Sequence, residues 1–252
     1  MSRTPIFENA ADSLRDGIAS FLVRKESETA IKHAILGIYH SIELFLKERL
    51  AQIHPILIYR NLDKRIGDDA QTVGLAETVQ RFENLDIPLS ASHVKNLVEL
   101  QRRRNRIEHH RFDPSADHEA VVGQCLKFIL EFLPAHLDSS LEEILEEHEQ
   151  YAAVRDVVLS YDERLADAIK QIEREAGTPM SRREHRGAKP AVVECPICGH
   201  ETLLRESERG DFCFFCHQEV PLEECDNCGS FVASGVIDNM GLCDICRRHV
   251  FG

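Results

Sequence analysis

The last quarter of the chain carries the pattern that most constrains its fold, four Cys-x-x-Cys pairs within residues 194–252. The pairs are separated by fourteen, eight and fourteen residues, so each cysteine of the first quartet has a counterpart thirty residues further on. Such an internal repeat indicates two copies of one small structural unit. A segment this short and polar cannot bury enough apolar surface to fold unaided, so a bound metal has to replace the missing core. The repeat therefore predicts a small metal-binding domain.

The cysteine spacing also indicates which metal is bound. Each pair places two thiolates on one tight turn, and two pairs supply the four sulfur ligands that Zn²⁺ takes in a closed, structural site. The segment resembles double zinc ribbons, and we expect two structural Zn²⁺ ions and no catalytic metal. The order of the repeat favours sequential pairing of the two quartets, although a cross-braced arrangement fits the same spacing. The predicted ligands are Cys195, Cys198, Cys213, Cys216, Cys225, Cys228, Cys243 and Cys246.

The charge of this segment restricts its partners. Residues 194–252 hold eleven acidic side chains against four Lys and Arg, in a chain whose formal net charge is −13. Two sites with four thiolates each would make the segment more negative still, which disfavours binding to phosphates. We therefore expect a protein partner for the ribbons. Three histidines are not needed as ligands and are expected at the surface, namely His200, His217 and His249.

The first 176 residues have the pattern of an all-α protein. Apolar residues recur at helical spacing with few glycines and prolines between them, and helices are predicted over about 9–23, 27–54, 72–84, 90 onward and 117–132. Residues 1–137 are predicted to form a compact helical bundle. Residues 177–193 contain Gly, Pro and basic residues without periodicity and are predicted to be a basic linker.

Residues 138–176 form a separate region, predicted to be a long helical extension of the bundle. Its apolar residues repeat every seven positions, but polar residues occupy the companion positions of a coiled coil. The apolar stripe is therefore expected to pack on its own bundle or on the partner of a dimer. It consists of Ile144, Tyr151, Val158, Leu165 and Ile172.

A dense basic sequence, residues 101–111, continues the helix that begins near residue 90. It holds five arginines and two histidines against one glutamate. Three- and four-residue steps place Leu97, Leu100, Arg104 and Ile107 on one apolar stripe, so position 104 is expected to belong to the core although it is an arginine. Asn105 and His109 stack on a neighbouring face, within reach of the long Arg104 side chain. A guanidinium, an amide and an imidazole that converge can hold a phosphate and move a proton. The alternative interpretation is a solvated helix end whose histidines interact with the helix dipole.

At these residues the sequence resembles the HEPN superfamily, whose members carry an Arg, a polar residue and then a His four to six residues beyond the Arg. The matching string is Arg104-Asn105-Arg106-Ile107-Glu108-His109. Arg103 with His109, and Arg104 with His110, also satisfy the spacing. The earlier helix, residues 40–50, matches the Glu-Leu-x-x-Lys pattern of the family. The resemblance covers about residues 5–137 and implies a HEPN-like helical bundle that forms a homodimer, with one composite active site where two motif helices meet.

The resemblance implies a function as well, that of a metal-independent endoribonuclease acting as a toxin or antiviral defence effector. RNA would be cleaved by attack of its 2′-OH, leaving 2′,3′-cyclic phosphate ends. His109 would be the general acid or base, Arg104 would stabilise the charge on the scissile phosphate, and Asn105 would orient it. Further contacts to the RNA substrate would come from Arg102, Arg103, Arg106, His110 and Arg111. Some family toxins carry a Tyr where this chain has Arg111, so their mode of control by modification of that Tyr is not expected here.

Two other functions fit the sequence. One is a non-catalytic adaptor, built from a HEPN bundle and zinc ribbons, that binds protein or nucleotide. The other is a zinc-ribbon protein that binds nucleic acid, which the acidity of the ribbons disfavours. No stretch approaches the roughly 18 apolar residues of a membrane span, and the first residues lack the layout of a signal peptide, so a cytoplasmic protein without membrane contact is expected. Cys125 lies in an apolar helix and is expected in the core rather than as a nucleophile.

Overall fold

A computed structural model of the chain describes residues 4–25, 27–63, 66–67, 69–109, 118–145, 147–177, 192–207, 209–235, 237, 240–243 and 246–247. The contacts divide the chain into two compact units, residues 1–161 and 162–252. Within the described residues the chain is mostly helical, and its named strands all follow residue 191. The all-α prediction therefore holds for the first part of the chain only, because the cysteine-rich part contains small antiparallel sheets.

The first unit contains each of the predicted bundle helices. In chain order they are α1 (Pro5–Leu22), α2 (Glu28–Ile53), a 3₁₀ turn (Pro55–Ile58), α3 (Leu75–Asn84), α4 (Ala91–His109), α5 (His118–His136) and α6 (Leu141–Leu145), followed by α7 (His148–Gly177), which ends in the second unit. Helices α1 and α2 both begin at residues whose side chains cap the helix end. The hydroxyl of Thr4 accepts a hydrogen bond from the amide of Phe7 (3.2 Å), and that of Ser27 accepts one from Thr29 (3.1 Å).

The core of the bundle is centred on α1 and α2, which cross at two glycines. A Cβ on Gly37 would lie 2.9 Å from the Cα of Gly17, closer than non-bonded carbon atoms approach. The absence of side chains at this crossing lets the two backbones come together. Around it lies one cluster of buried apolar residues from most helices of the unit; the largest fully buried members are Phe21, Phe45, Phe82 and Phe128.

The predicted helical extension is interrupted, so that α6 and α7 replace one continuous helix. The first half of the apolar stripe nevertheless packs on its own bundle, which is one of the two expected arrangements. Ile144 and Val158 belong to the bundle core, with Tyr151 packed against it. Arg15 fixes the short helix, since its Nε donates a 2.9 Å hydrogen bond to the carbonyl of Ile144. The first half of the stripe is therefore part of its own bundle.

The second unit contains the last half of α7 and five short strands. Strands β1 (Val192–Val193), β2 (Leu203–Ser207) and β3 (Gly210–Cys213) form an antiparallel sheet in that order, and β4 (Leu222–Glu224) pairs with β5 (Phe231–Ala233). Asp211 joins the two sheets, because its carboxylate accepts a hydrogen bond from the amide of Leu222 (3.1 Å). Arg205 adds a second link by placing its guanidinium 3.9 Å above the ring of Phe231.

Candidate metal centres and the motif helix

The four cysteine pairs fold as tight turns that repeat the same backbone hydrogen bond. In the first turn of each sheet the amide of Gly199 or Gly229 donates to the carbonyl four residues earlier, at 2.8 Å in both cases. These glycines have φ values of 74° and 69°, a left-handed conformation that costs a residue with a Cβ more than it costs glycine. The thirty-residue repeat of the sequence is therefore a repeat of local structure.

The turns bring the eight cysteines together as two groups of four. In each group all four Sγ atoms lie within 4.8 Å of one another. Individual separations are 3.7 Å for Cys195–Cys216, 3.6 Å for Cys198–Cys213 and 3.9 Å for Cys228–Cys243. A tetrahedron with metal–sulfur bonds of about 2.3 Å has sulfur–sulfur edges of about 3.8 Å, whereas a disulfide bond is about 2.05 Å long. The donor set therefore fits two tetrahedral metal sites.

The grouping decides between the two pairings that the spacing allowed. One group consists of Cys195, Cys198, Cys213 and Cys216, and the other of Cys225, Cys228, Cys243 and Cys246. The pairing is sequential, not cross-braced. Hydrogen bonds to the sulfur atoms stabilise negative charge on them. They run from the amide of Cys216 to Cys213 (3.5 Å), from the amide of Cys243 to Cys225 (3.3 Å) and from Asn227 to Cys246 (3.3 Å).

The histidines of this region differ from the expectation in one case. His200 is buried, 7% exposed, and stacks on the ring of Phe215 at 4.0 Å between centroids, so it is not a surface residue. His217 is exposed as expected, with a φ of 57° in the turn after Cys216. His249 lies outside the described residues. The stacking of His200 was missed because an apolar neighbour twelve or more residues away leaves no local signal.

The arginine that helix α4 buries is not the one that the sequence placed on the apolar stripe. Arg103, not Arg104, is the buried arginine, with 5% of its side chain exposed. Its Nε donates to the carboxylate of Glu99 at 3.2 Å. Burial raises the pKa of Glu99 above its ordinary value, and Arg103 with other nearby arginines offsets only part of that rise. The prediction that position 104 belongs to the core is wrong, because Arg103 takes the buried position and Arg104 keeps 31% of its side chain exposed.

Arg104 lies beside the second residue of the motif. Its Nη1 donates to the amide oxygen of Asn105 (3.0 Å) and contacts the carboxylate of Glu108 (2.7 Å). Beneath it lies Tyr39 of α2, whose ring centre is 5.3 Å from the guanidinium carbon. The structure thus brings Arg104 and Asn105 together at the end of α4. His109 is the last residue of that helix, and its side chain lies outside the described part of the structure.

A network of polar side chains on α2 supports this end of α4. Burial and the neighbouring carboxylate of Glu43 raise the pKa of Tyr39 well above its ordinary value, so the phenol stays protonated and hydrogen-bonds to that carboxylate. Glu43 in turn pairs with Lys47 at 2.6 Å, and Lys47 donates to the hydroxyl of Thr72 at 3.1 Å. Tyr39 was not among the residues that the sequence singled out, because nothing local distinguishes it from other helix residues.

The remaining residues predicted to bind RNA divide into three groups. Arg102 and Arg106 are exposed, and Arg102 has 64% of its side chain accessible. Arg103 is buried as described. His110 and Arg111 lie outside the described residues. Cys125 is 3% exposed within the bundle core, which confirms that expectation, and burial raises the pKa of its thiol to about 12.

No family model matches the chain, and neither a curated protein nor a solved structure matches it. Among the helices that the structure describes, none combines the length and apolar character needed to cross a membrane.

Proposed function

We propose that the chain is a metal-independent endoribonuclease that cleaves RNA by attack of a ribose 2′-OH on the neighbouring phosphate, and that it acts as a toxin or defence effector. The observation that carries the proposal is the position of Arg104 and Asn105. They lie in contact at the end of α4, with Asn105 exposed and Arg104 partly exposed, in the string that resembles the HEPN motif.

The proposed roles follow from the chemistry of the three motif side chains. His109 takes the proton of the 2′-OH or gives one to the leaving 5′ oxygen, because an imidazole titrates near neutral pH. Arg104 stabilises the charge that develops on the phosphate, and Asn105 orients it. Two copies of the chain would bring two such helix ends together in one composite site.

The surroundings of Arg104 suit a residue that binds an anion reversibly. Its present partner, Glu108, lies one helical turn away on the same solvent-accessible surface, with 31% of its side chain exposed. A phosphate of RNA can replace that carboxylate as the acceptor, since both form charge-assisted hydrogen bonds with a guanidinium. Tyr39 holds the guanidinium from below through its ring.

The proposal is tested with the purified full chain and total cellular RNA, in buffer stripped of free divalent ions and, in parallel, in EDTA. His109→Ala is expected to lower the cleavage rate by about 10²–10⁴ and Arg104→Ala by about 10²–10³. Far-UV circular dichroism and size-exclusion chromatography show whether each variant keeps its fold and its oligomeric state.

Matched controls come from exposed residues of the same type outside the motif. His33 on α2 and Arg155 on α7 are both exposed, and alanine at either position is expected to leave cleavage unchanged. Cleavage by a folded His109→Ala protein at the wild-type rate would contradict the proposed chemistry.

One observation favours the second candidate, a non-catalytic adaptor that binds protein or nucleotide. Both arginines of the motif already have acidic partners, Arg103 in the buried pair with Glu99 and Arg104 with Glu108. Arginines that serve only to hold a helix together require no substrate. The adaptor predicts that wild type cleaves no RNA in either buffer, and that Arg104→Ala changes stability alone.

We further propose that the two groups of four cysteines each hold a structural Zn²⁺ ion and that the ribbons bind a protein partner. The sulfur–sulfur separations of 3.6–3.9 Å support tetrahedral sites. Bound zinc would supply folding energy here, and the cysteine thiolates would be closed to other ligands. Elemental mass spectrometry of the purified chain is expected to find two zinc ions per chain, and a stable chain without metal would contradict the proposal.

A further inference from the structure

Arg164 attaches the last half of helix α7 to a turn of the first cysteine group. Both Nε and Nη2 of Arg164 donate to the backbone carbonyl of Phe215, at 2.9 and 2.6 Å. The guanidinium carbon also lies 4.5 Å from the centre of the Phe215 ring. A single side chain thus binds both the backbone and the ring of one residue, and both contacts lie within the second unit of the fold.

Phe215 belongs to the turn that supplies two of the proposed zinc ligands. It lies between Cys213 and Cys216, is fully buried, and stacks with His200, which follows the other cysteine pair of the same site. The amide of Cys216 in turn donates to the sulfur of Cys213 at 3.5 Å. The position of the Phe215 carbonyl is therefore fixed by the same short backbone segment that positions two sulfur ligands.

The helix presents a continuous face at this attachment. Arg164, Ala168 and Ile172 follow one another at four-residue steps and so share one side of α7. Ala168 is 1% exposed and Ile172 7% exposed, although the neighbouring Lys170 is 61% exposed. The segment after residue 161 is thus an amphipathic helix with a buried face that begins at the arginine.

We propose that a metal ion in the first cysteine group creates the docking surface for residues 162–177 of α7. Without the metal the four sulfur atoms no longer tie the two turns to one common ligand, and small sites of this kind commonly fold only with metal. The Phe215 carbonyl and ring are then no longer presented to Arg164, and the helix loses the attachment that this arginine provides. The second cysteine group has no such role. The inference rests on the proposed metal sites and is independent of ribonuclease activity.

The test is hydrogen exchange of the full chain, measured by mass spectrometry on peptides covering residues 162–177, with zinc content determined on the same samples. Removal of zinc with a chelator is expected to speed exchange in this segment at least about tenfold, because each charge-assisted hydrogen bond of Arg164 accounts for about a factor of ten or more. Peptides from α1 and α2 serve as the internal reference and are expected to stay unchanged.

Paired variants separate the two metal sites. Cys198→Ser in the first group is expected to lower the zinc content to one and to speed exchange in residues 162–177. Cys228→Ser in the second group is expected to lower the zinc content equally and to leave that exchange unchanged. Equal acceleration in both variants would overturn the proposal, since docking would then depend on the ribbons as a whole.

A second pair tests the attachment without disturbing the metal. Arg164→Gln is expected to keep two zinc ions and to speed exchange in residues 162–177, whereas Lys170→Gln, at an exposed position of the same segment, is expected to change neither. Unchanged exchange in Arg164→Gln, or in wild type freed of zinc, would overturn the docking inference. A wild-type chain that binds no zinc would instead refute the metal sites themselves.

Discussion

Replacing Gly37 by alanine is expected to destabilise the helical bundle, contrary to the helix propensities of the two residues. The new Cβ would lie 2.9 Å from the Cα of Gly17, 3.0 Å from the carbonyl oxygen of Ser13 and 3.1 Å from the amide nitrogen of Gly17. All three atoms belong to the backbone of α1, so no side-chain rotation relieves the contact and the two helices have to separate.

The size of the effect follows from two opposing terms. Alanine is favoured over glycine inside a helix by about 1 kcal/mol. Overpacking costs about 1–3 kcal/mol, and contacts with rigid backbone place Gly37→Ala at about the upper end. The net loss is therefore about 2 kcal/mol, which at a urea m-value of about 2 kcal/mol/M lowers the unfolding midpoint by about 1 M.

The assay is urea unfolding of the full chain in excess zinc, followed by circular dichroism at a helix band. Gly67→Ala is the matched control, because a Cβ there meets nothing within 4 Å. That control is expected to keep or slightly raise the midpoint. A Gly37→Ala protein as stable as wild type would refute the close crossing of α1 and α2.

Three further predictions concern ionisable groups that are buried or partly buried. Arg103→Ala is expected to destabilise the bundle by about 3 kcal/mol in urea unfolding, the lower end for a broken buried pair, because Glu99 loses its buried partner and keeps the more distant, exposed Arg102 at 3.8 Å. The double variant with Glu99→Ala should cost less than the sum of the single changes. Cys125 is expected to escape iodoacetamide at pH 8.5 in the folded protein, since burial raises the pKa of its thiol to about 12; peptide mapping that finds it labelled would contradict this. Burial also lowers the pKa of His136. The contribution of this residue to stability is therefore present above the ordinary histidine pKa and is lost as the pH falls through the lower, folded-state pKa. An NMR titration of the folded protein is expected to give a midpoint below about 6.5, and a higher midpoint would contradict the prediction.

The cysteine-rich part of the chain shows how far the sequence alone can be taken. The spacing of the cysteines predicted the turns, because a Cys-x-x-Cys-Gly segment closes on itself through one local hydrogen bond, as Gly199 and Gly229 do. The repeat favoured the sequential pairing that the structure confirms, although the spacing alone left the pairing of the turns open. The pairing depends on antiparallel contacts between strands such as β2 and β3, and the sequence separation of the cysteines is the same in either arrangement.

Helix α4 shows where helical periodicity fails to predict which side chain is buried. Leu97 and Leu100 are buried as predicted, but both position 103 and position 104 continue that stripe within one step of a 3.6-residue repeat. Glu99 decides between them, because its buried carboxylate pairs with Arg103. Glu99 lies in the same helix as both arginines, but a pattern based on apolar residues alone does not include ion pairs.

The attachment of Arg164 to Phe215 had no signal in the sequence at all. The two residues are 51 positions apart, and an arginine on an acidic helix is ordinarily solvated. The folded turn presents a carbonyl and an aromatic ring to the same guanidinium. Long-range polar contacts of this kind arise from tertiary structure, which local patterns do not encode.

The proposal of RNA cleavage is tested most directly by the chemical ends of the products. Wild-type protein is incubated with a short end-labelled RNA in buffer stripped of free divalent ions, and the new ends are identified by mass spectrometry beside His109→Ala. Cleavage through the 2′-OH predicts 2′,3′-cyclic phosphate and 5′-hydroxyl ends with wild type only. Products carrying 3′-hydroxyl and 5′-phosphate ends, or identical products from the His109→Ala protein, would contradict the account.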